Sequence, residues 1–225
     1  MIGVFDSGEG GVALISEMRR IAPNADICFF ADRDNAPYGT KTKEELIGLV
    51  KKDISLLIKN GAEIAVMACC TASSVYRYLD SNLKAASLPI IDPTATAAAS
   101  GGSRIGVIAT ERTAASHAFK SAIHAISPNA MVLEWCAQPL VPMIESGVRD
   151  GGITRREREK IKTVLTPAMG ENIDTLVLGC THFHRIIGTV QQLFPSVRII
   201  SSAREGAIAA VAAAHTDGEG LTVYL

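Results

Sequence analysis

Short apolar runs recur along almost the whole chain, each followed by a longer amphipathic stretch, and this alternation constrains the fold more than any other feature. Ile2–Phe5, Ile27–Phe30, Ile64–Met67, Ile105–Ile108, Met131–Trp135, Leu176–Leu178 and Val197–Ile200 are mostly β-branched or aromatic. Most are apolar at consecutive positions, as strands covered on both faces of a parallel sheet must be. Between them, Lys43–Lys59 puts Leu46, Leu49, Val50, Leu57 and Ile58 on one side and Lys51, Lys52 and Asp53 on another, then stops at Asn60-Gly61 as a helix end does. Thr154–Met169 opens on a threonine cap, carries its charges from Arg155 to Lys160 on a solvated face, and buries Ile161, Val164 and Leu165. Such alternation predicts α/β architecture with mostly parallel sheets.

The pattern also repeats. Met1-Ile2-Gly3-Val4-Phe5-Asp6-Ser7 is similar to Arg104-Ile105-Gly106-Val107-Ile108-Ala109-Thr110, displaced by 103 positions, and Val66-Met67-Ala68-Cys69 to Val177-Leu178-Gly179-Cys180, displaced by 111. Two ordered matches at nearly one offset point to duplication. The expectation is two pseudo-symmetric three-layer α/β lobes, residues 1–92 and 93–204, with the active site in the cleft between them. Loops at Asp92–Thr96 and around Ser201–Glu205 are the expected crossovers. A last helix, Arg204–Ala214, starts the return of segment 205–225 to the first lobe.

Composition narrows the function classes. With 225 residues the chain can bury a sizeable core. Its 22 basic against 23 acidic residues give no excess positive charge for phosphate backbones, so nucleic acid is not the expected partner. No apolar run is long enough to cross a bilayer. Met1–Phe5 leads straight into Asp6 without the basic and apolar regions of a signal peptide. A cytoplasmic protein is expected, in which the five cysteines are thiols.

In open α/β sheets ligands bind at the carboxyl ends of strands. Four polar clusters fall there: Asp6-Ser7-Gly8-Glu9-Gly10-Gly11, Cys69-Cys70-Thr71, Thr110 and Cys180-Thr181-His182. The duplication puts Cys69 and Cys180 at equivalent strand ends of facing lobes. One thiolate taking a proton from one face of a substrate, and one thiol giving a proton to the other, is what stereo-inverting proton transfer needs, with no metal or cofactor. A helix N-terminus behind each cysteine would favour the thiolate. The glycine turn lacks the P-loop and dinucleotide signatures. It reads either as a tight turn or as a set of amides for an anion. Cys28 and Cys136 read as structural, and His117, His124 and His215 as surface or packing residues.

These residues carry a resemblance. Asp6-Ser7-Gly8-x-Gly10-Gly11, Asp32 with Pro37-Tyr38-Gly39-Thr40-Lys41, Ala68-Cys69-x-Thr71-Ala72-Ser73 and Leu178-Gly179-Cys180-Thr181-His182 resemble, in order and spacing, the glutamate racemases of the cofactor-independent aspartate/glutamate racemase superfamily. The likeness runs from Ile2 to about Ala210, and Thr110 and Glu145 match further positions. It implies a pyridoxal-independent racemase of L- and D-glutamate serving peptidoglycan synthesis. Cys69 would act on the D-enantiomer and Cys180 on the L-enantiomer, with Asp6 and His182 assisting. Ser7, Pro37, Tyr38, Gly39, Cys70, Thr71 and Thr181 would hold the amino acid, and Asp32, Thr110 and Glu145 would support them. A homodimer follows from family habit alone.

The chain departs from that pattern at Cys70, where the family has asparagine, at Glu9, where it has a small apolar residue, and at His184, where it has proline. The chain is also shorter at its carboxyl end. Other readings use the same residues. One is a zinc site built from Cys69, Cys70, Cys180, His182 and His184, against which stands the absence of Cys-x2-Cys and His-x3-His spacing. Others are an inactive amino-acid-binding homologue and racemases of aspartate or hydantoins, or maleate isomerases, on the same scaffold.

Overall fold

In a computed structural model, which describes residues 1–147 and 152–225, each apolar run is a strand. In chain order the elements are β1 (Ile2–Asp6), α1 (Gly11–Ile21), β2 (Ile27–Ala31), α2 (Lys43–Lys59), β3 (Ile64–Met67), α3 (Cys70–Ser73), α4 (Ser81–Ala85), β4 (Ser87–Pro89) and α5 (Ile91–Ala99). The second half runs β5 (Arg104–Ala109), α6 (Glu111–Ser116), α7 (Ala118–Ile126), β6 (Met131–Cys136), α8 (Leu140–Gly147), α9 (Arg155–Met169), β7 (Thr175–Gly179), α10 (Ile187–Leu193), β8 (Arg198–Ser201), α11 (Ser202–Ala212) and β9 (Thr222–Tyr224). No described helix is long and apolar enough to cross a membrane.

Among the described residues every strand pairing is parallel. One sheet has the order β4-β3-β1-β2-β9 and the other β6-β5-β7-β8. Leaving β9 aside, the two are the same arrangement: the first strand of each half is central, the second lies on one side and the third and fourth on the other. The sequence repeat is therefore a repeat of topology. The registers agree as well, since Phe5 pairs with Phe30 and Met67 as Ile108 pairs with Trp135 and Leu178.

Local sequence explains where the helices begin. Thr42 and Glu45 cap α2 reciprocally: Glu45 N donates to Thr42 Oγ1 at 3.2 Å and Thr42 N to Glu45 Oε2 at 2.8 Å. Thr154 and Glu157 do the same for α9. Each box satisfies backbone donors that have no partner inside the helix.

Packing joins the halves. One buried cluster takes Ile2, Val4, Ile27 and Val66 from the first sheet and Ile105, Val107 and Val177 from the second, with residues of α1, α5, α7 and α11 filling the space between. A second cluster lies under α2 and the first sheet's other face, and a third under α8, α9 and α10. Each sheet is thus covered on both faces, which is why its strands are apolar at consecutive positions. Two short strands escape the sequence reading. β4 is a three-residue edge strand ending at Pro89, and β9 pairs with β2 although Val223 and Tyr224 are exposed.

The expected crossover loops are helical: Asp92–Thr96 lies within α5, and Ser202–Glu205 opens α11, which starts two residues before the expected Arg204. Helix α11 wedges against α1 and α5. A Cβ on its Gly206 would lie 2.5 Å from Ile90 Cγ2 and 3.0 Å from Leu14 Cδ1. Gly48, on the exposed side of α2, has nothing within 4 Å of such an atom. Gly206→Ala is expected to cost about 1–3 kcal/mol through overpacking. Gly48→Ala should instead stabilise by about 0.5–1 kcal/mol through helix propensity. Urea denaturation checks both, and equal effects of the two substitutions would contradict this packing.

Candidate active site

The carboxyl ends of the central strands meet across the lobe boundary. β1 delivers Asp6 and the turn behind it delivers Ser7 and Gly8. Cys69 stands two residues beyond the end of β3, and Cys180 directly after β7. These residues line one cavity together with Pro37, Tyr38, Gly39, Cys70, Thr71, Thr110, Glu145, Thr181 and His182. It encloses about 80 Å³ of space open to water. A single water needs roughly 10–15 Å³ on that measure, so the space suits a small, amino-acid-sized ligand.

Both cysteines are buried, at 8% and 7% exposure, and their partners differ. Cys180 Sγ is 3.6 Å from His182 Nδ1, and His182 Nε2 is 2.9 Å from Glu145 Oε1, at an angle that makes the contact electrostatic and not a hydrogen bond. Thiol, imidazole and carboxylate form a line. Cys69 Sγ is 3.7 Å from Ser7 Oγ. Asp6, 1% exposed, is held from both lobes: the Gly8 amide donates to Oδ1 at 2.9 Å, and Thr181 Oγ1 of the other lobe to Oδ2 at 3.3 Å. A second bridge is a triangle of hydroxyls. Thr71 Oγ1 lies 3.1 Å from both Thr110 Oγ1 and Thr113 Oγ1, which are 2.8 Å apart.

Close approach of the lobes depends on Gly10. A Cβ there would fall on Thr181 Oγ1 and within 2.9 Å of the His182 ring. The glycine turn is therefore more than a tight turn. Its Gly8 amide serves the Asp6 carboxylate.

Electrostatics correct one expectation. A helix N-terminus behind each cysteine was expected to favour the thiolates. Burial and then the Asp6 charge push the Cys69 thiol up to about 11, against the Ala72 and Thr71 amides and the Ser7 hydroxyl. Burial, followed by the neighbouring thiols, raises Cys180 well above the ordinary range, and Cys70 is raised by burial too. α3 has only four residues and the Thr181–Ile186 segment is a 3-10 helix, so the amides oppose burial without winning. Burial likewise raises the Asp6 carboxyl, against the charge of His182.

Other residues fall outside the cavity lining. Asp32 stands behind it, accepting from Asn35 Nδ2 at 2.9 Å and from the Tyr38 hydroxyl at 2.7 Å. Cys28 is buried in the core as read, but Cys136 is exposed and does not line the cavity, so it is not the structural residue expected. Glu9 turns to Arg33, 3.5 Å away, and brings no charge into the cavity. His184 lies 2.9 Å from Ser201 Oγ, on the side of Glu17. Among the described residues no three His, Cys, Asp or Glu side chains converge as a metal-binding group. The sequence reading missed Gln138 and Val141, which also line the cavity. Their signal was position alone, since both follow the carboxyl end of β6.

Comparison with known proteins fits this geometry. Residues 15–211 match the family described as Asp/Glu/Hydantoin racemase. The chain belongs to that family. Glutamate racemase of Picosynechococcus sp. is 38% identical over 196 residues, covering 87% of this chain and 69% of the relative, and that of Microcystis aeruginosa is 39% identical over 208 residues, covering 90% and 71%. Among solved structures, glutamate racemase from Bacillus anthracis superposes with a TM-score of 0.89 at 30% identity, covering all of this chain and 86% of that one. The Francisella tularensis enzyme, solved with D-glutamate, gives 0.86 at 26% identity, covering 99% and 86%. The expected racemase resemblance and the two-lobed α/β fold are both borne out.

Within this racemase chain the Tyr38 loop rests on a shared proton. The Tyr38 hydroxyl is 2.7 Å from Asp32 Oδ2 and 2.5 Å from Asp53 Oδ2. One hydroxyl proton serves one of these, so the other contact needs a protonated carboxyl. Burial, reinforced by the Asp32 charge, pushes Asp53 up to about 7 from an ordinary 3.8, against Tyr38 and Lys52. A raised acid stabilises the folded state fully below its unfolded value and loses that contribution as pH climbs to the folded one. Asp53→Asn keeps a neutral donor at every pH. Its stability relative to the parent should rise between about pH 4 and 8, by a few kcal/mol in total. Urea midpoints across that range test this, and parallel profiles for the two proteins would rule the shared proton out.

Proposed function

We propose that the protein is a glutamate racemase, interconverting L- and D-glutamate at the α-carbon without a cofactor. The observation that carries the reading is the pair of buried thiols, Cys69 and Cys180, at equivalent strand ends of two lobes and lining one small cavity. The glutamate racemases of Picosynechococcus sp. and Microcystis aeruginosa, which resemble it at 38% and 39% identity, support the substrate.

In this reading one thiolate removes the α-proton from one face while the opposite thiol donates its own to the other, so the charge passes from one sulfur to the other and the configuration inverts. Cys69 acts on D-glutamate and Cys180 on L-glutamate. The resting thiols hold their protons, so activation is tied to substrate. A bound ammonium brings positive charge beside both sulfurs and displaces water, which favours the thiolate. His182 takes the Cys180 proton through Nδ1, with Glu145 beyond Nε2 favouring the imidazolium that results. Asp6, next to Cys69, plays the matching part in the other lobe. Hydroxyls of Ser7, Thr71 and Thr181 and the Pro37-Tyr38-Gly39 loop hold the carboxylates and ammonium, and Thr110 and Asp32 support them.

The finer biology belongs to the same proposal. It comprises a cytoplasmic enzyme that supplies D-glutamate for peptidoglycan and acts as a homodimer, with lobes 1–92 plus 205–225 and 93–204. Strand membership supports that division, because β9 joins the first sheet.

The test is exchange of the α-hydrogen of L- and D-glutamate, and of the aspartates, in deuterated water. Both glutamates should exchange and racemise. Cys69→Ser and Cys180→Ser should each lose racemisation by at least about a thousandfold, each keeping exchange of a single enantiomer. Absence of exchange with any of the four amino acids would leave a binding protein, and faster turnover of aspartate would change the substrate. Cys70→Asn provides a finer check. An amide both donates and accepts where a thiol does so weakly. The KM for glutamate should therefore fall by about tenfold, the worth of one good hydrogen bond to a charged group. An unchanged KM would remove Cys70 from substrate contact.

A further inference from the structure

A second cavity, of about 260 Å³, opens where the lobes meet and is lined by Lys43, Arg77, Arg112, Tyr78, Ser74 and Ser116. Three of these side chains are cations, and they come from both halves: Lys43 begins α2, Arg77 and Tyr78 follow α3, and Arg112 and Ser116 are on α6. Arg77 and Lys43 both crowd the Tyr78 ring, at 4.8 and 5.1 Å from its centre, and Arg77 Nη2 donates to the Tyr78 hydroxyl at 2.7 Å. Among the described residues no acid lines the cavity; Glu44 is 3.3 Å from Lys43, and its charge also feels Arg112. Among the described residues neither Arg77 nor Arg112 has an acidic group within ion-pair distance. Arg112 Nε is also buried without a hydrogen-bond partner. Bringing like charges together and stripping one guanidinium nitrogen of water costs free energy that a bound anion would offset.

The geometry points to a binding site for a phosphate-bearing anion in this cavity, with Arg77 and Arg112 gripping it from opposite lobes and Lys43 adding a third cation. Two guanidinium forks suit the tetrahedral oxygens of a phosphate dianion, and a nearby ammonium adds a point charge. The volume is small for a whole drug-sized ligand, so it takes free phosphate or the phosphate end of a larger molecule.

Such an anion would tie the two lobes together beside the proposed active site. Two short helices connect the cavities. α3 starts at Cys70 in the first and is followed by Ser74 in the second, and Ser74 Oγ donates to the Thr71 carbonyl at 2.7 Å. α6 follows Thr110 in the first and carries Arg112 and Ser116 in the second, with Ser116 Oγ donating to the Thr113 carbonyl at 2.7 Å.

The test reads binding and does not depend on the racemase reading. Inorganic phosphate, glycerol 3-phosphate and ADP are each titrated into the whole protein at constant ionic strength, with phosphorus NMR and thermal unfolding as readouts. Saturable binding and a rise in Tm are expected with phosphate, and they should persist in excess D-glutamate whether or not the proposed active site takes that amino acid, because this cavity is a separate one. Tighter binding of either ester than of free phosphate would show that the site takes the end of a larger molecule. Arg77→Gln with Arg112→Gln should weaken phosphate at least about tenfold, and Arg112→Lys should lose less. Arg156→Gln, outside this cavity, should change nothing. An equal Tm rise with chloride, displacement of phosphate by D-glutamate, or undiminished binding in the double variant would each overturn the proposal.

Discussion

The rest of the structure depends on one buried carboxylate. Asp6 ends the central strand of the first sheet with almost no exposure, and an unpartnered charge there would be prohibitive. Its oxygens are met by the Gly8 amide from its own turn and the Thr181 hydroxyl from the other lobe, with His182 beside it. Satisfying Asp6 therefore requires the lobes to be docked. Docking in turn requires the missing side chain at Gly10, because any Cβ there would occupy the space of Thr181 and His182. The polar chemistry and the lobe contact are one constraint.

Duplication explains why that constraint falls where ligands bind. Each half puts its first strand at the centre of a parallel sheet, and the carboxyl ends of β1, β3, β5 and β7 converge on the boundary. The halves then diverge in what they add. The first contributes Asp6, Ser7 and the Tyr38 loop. The second contributes the His182–Glu145 pair and the hydroxyls of Thr110 and Thr113. A near-symmetric scaffold thus holds two thiols in unlike surroundings, with a serine beside Cys69 and an imidazole beside Cys180. Opposite faces of a chiral carbon make the same demand, since equivalent groups must approach it from two directions while its other substituents are told apart.

Most of the fold was legible in the sequence because burial on both faces writes itself as consecutive apolar residues. Ile64–Met67 appears with the predicted ends, and α2 spans Lys43–Lys59 as read. β4 and β9 were not legible. Three residues at a sheet edge need neither a run of apolar side chains nor period-two alternation, and Tyr224 is 70% exposed. At the site, position after a strand was enough to single out Asp6, Cys69, Thr110, Cys180 and His182. The resemblance was needed for Tyr38 and Glu145, which arrive from a loop and from α8. Asp53 was read only as part of a polar helix face, since nothing local indicates that its carboxyl is turned inward to Tyr38.

Raised thiols are a consequence of this architecture and not a defect in it. Burial that would strengthen the electrostatic contacts of the proposed reaction also disfavours a thiolate. The Asp6 charge, which the lobe contact needs, adds to the cost at Cys69. A site that kept two free thiolates would hold their charges close to Asp6 with nothing to balance them. One that leaves the protons on sulfur avoids that repulsion. Under the proposed function, positive charge on the ligand is then what would turn two buried, raised thiols into an acid and a base. By this reasoning an anionic compound without an ammonium group can fill the cavity and still leave both thiols protonated.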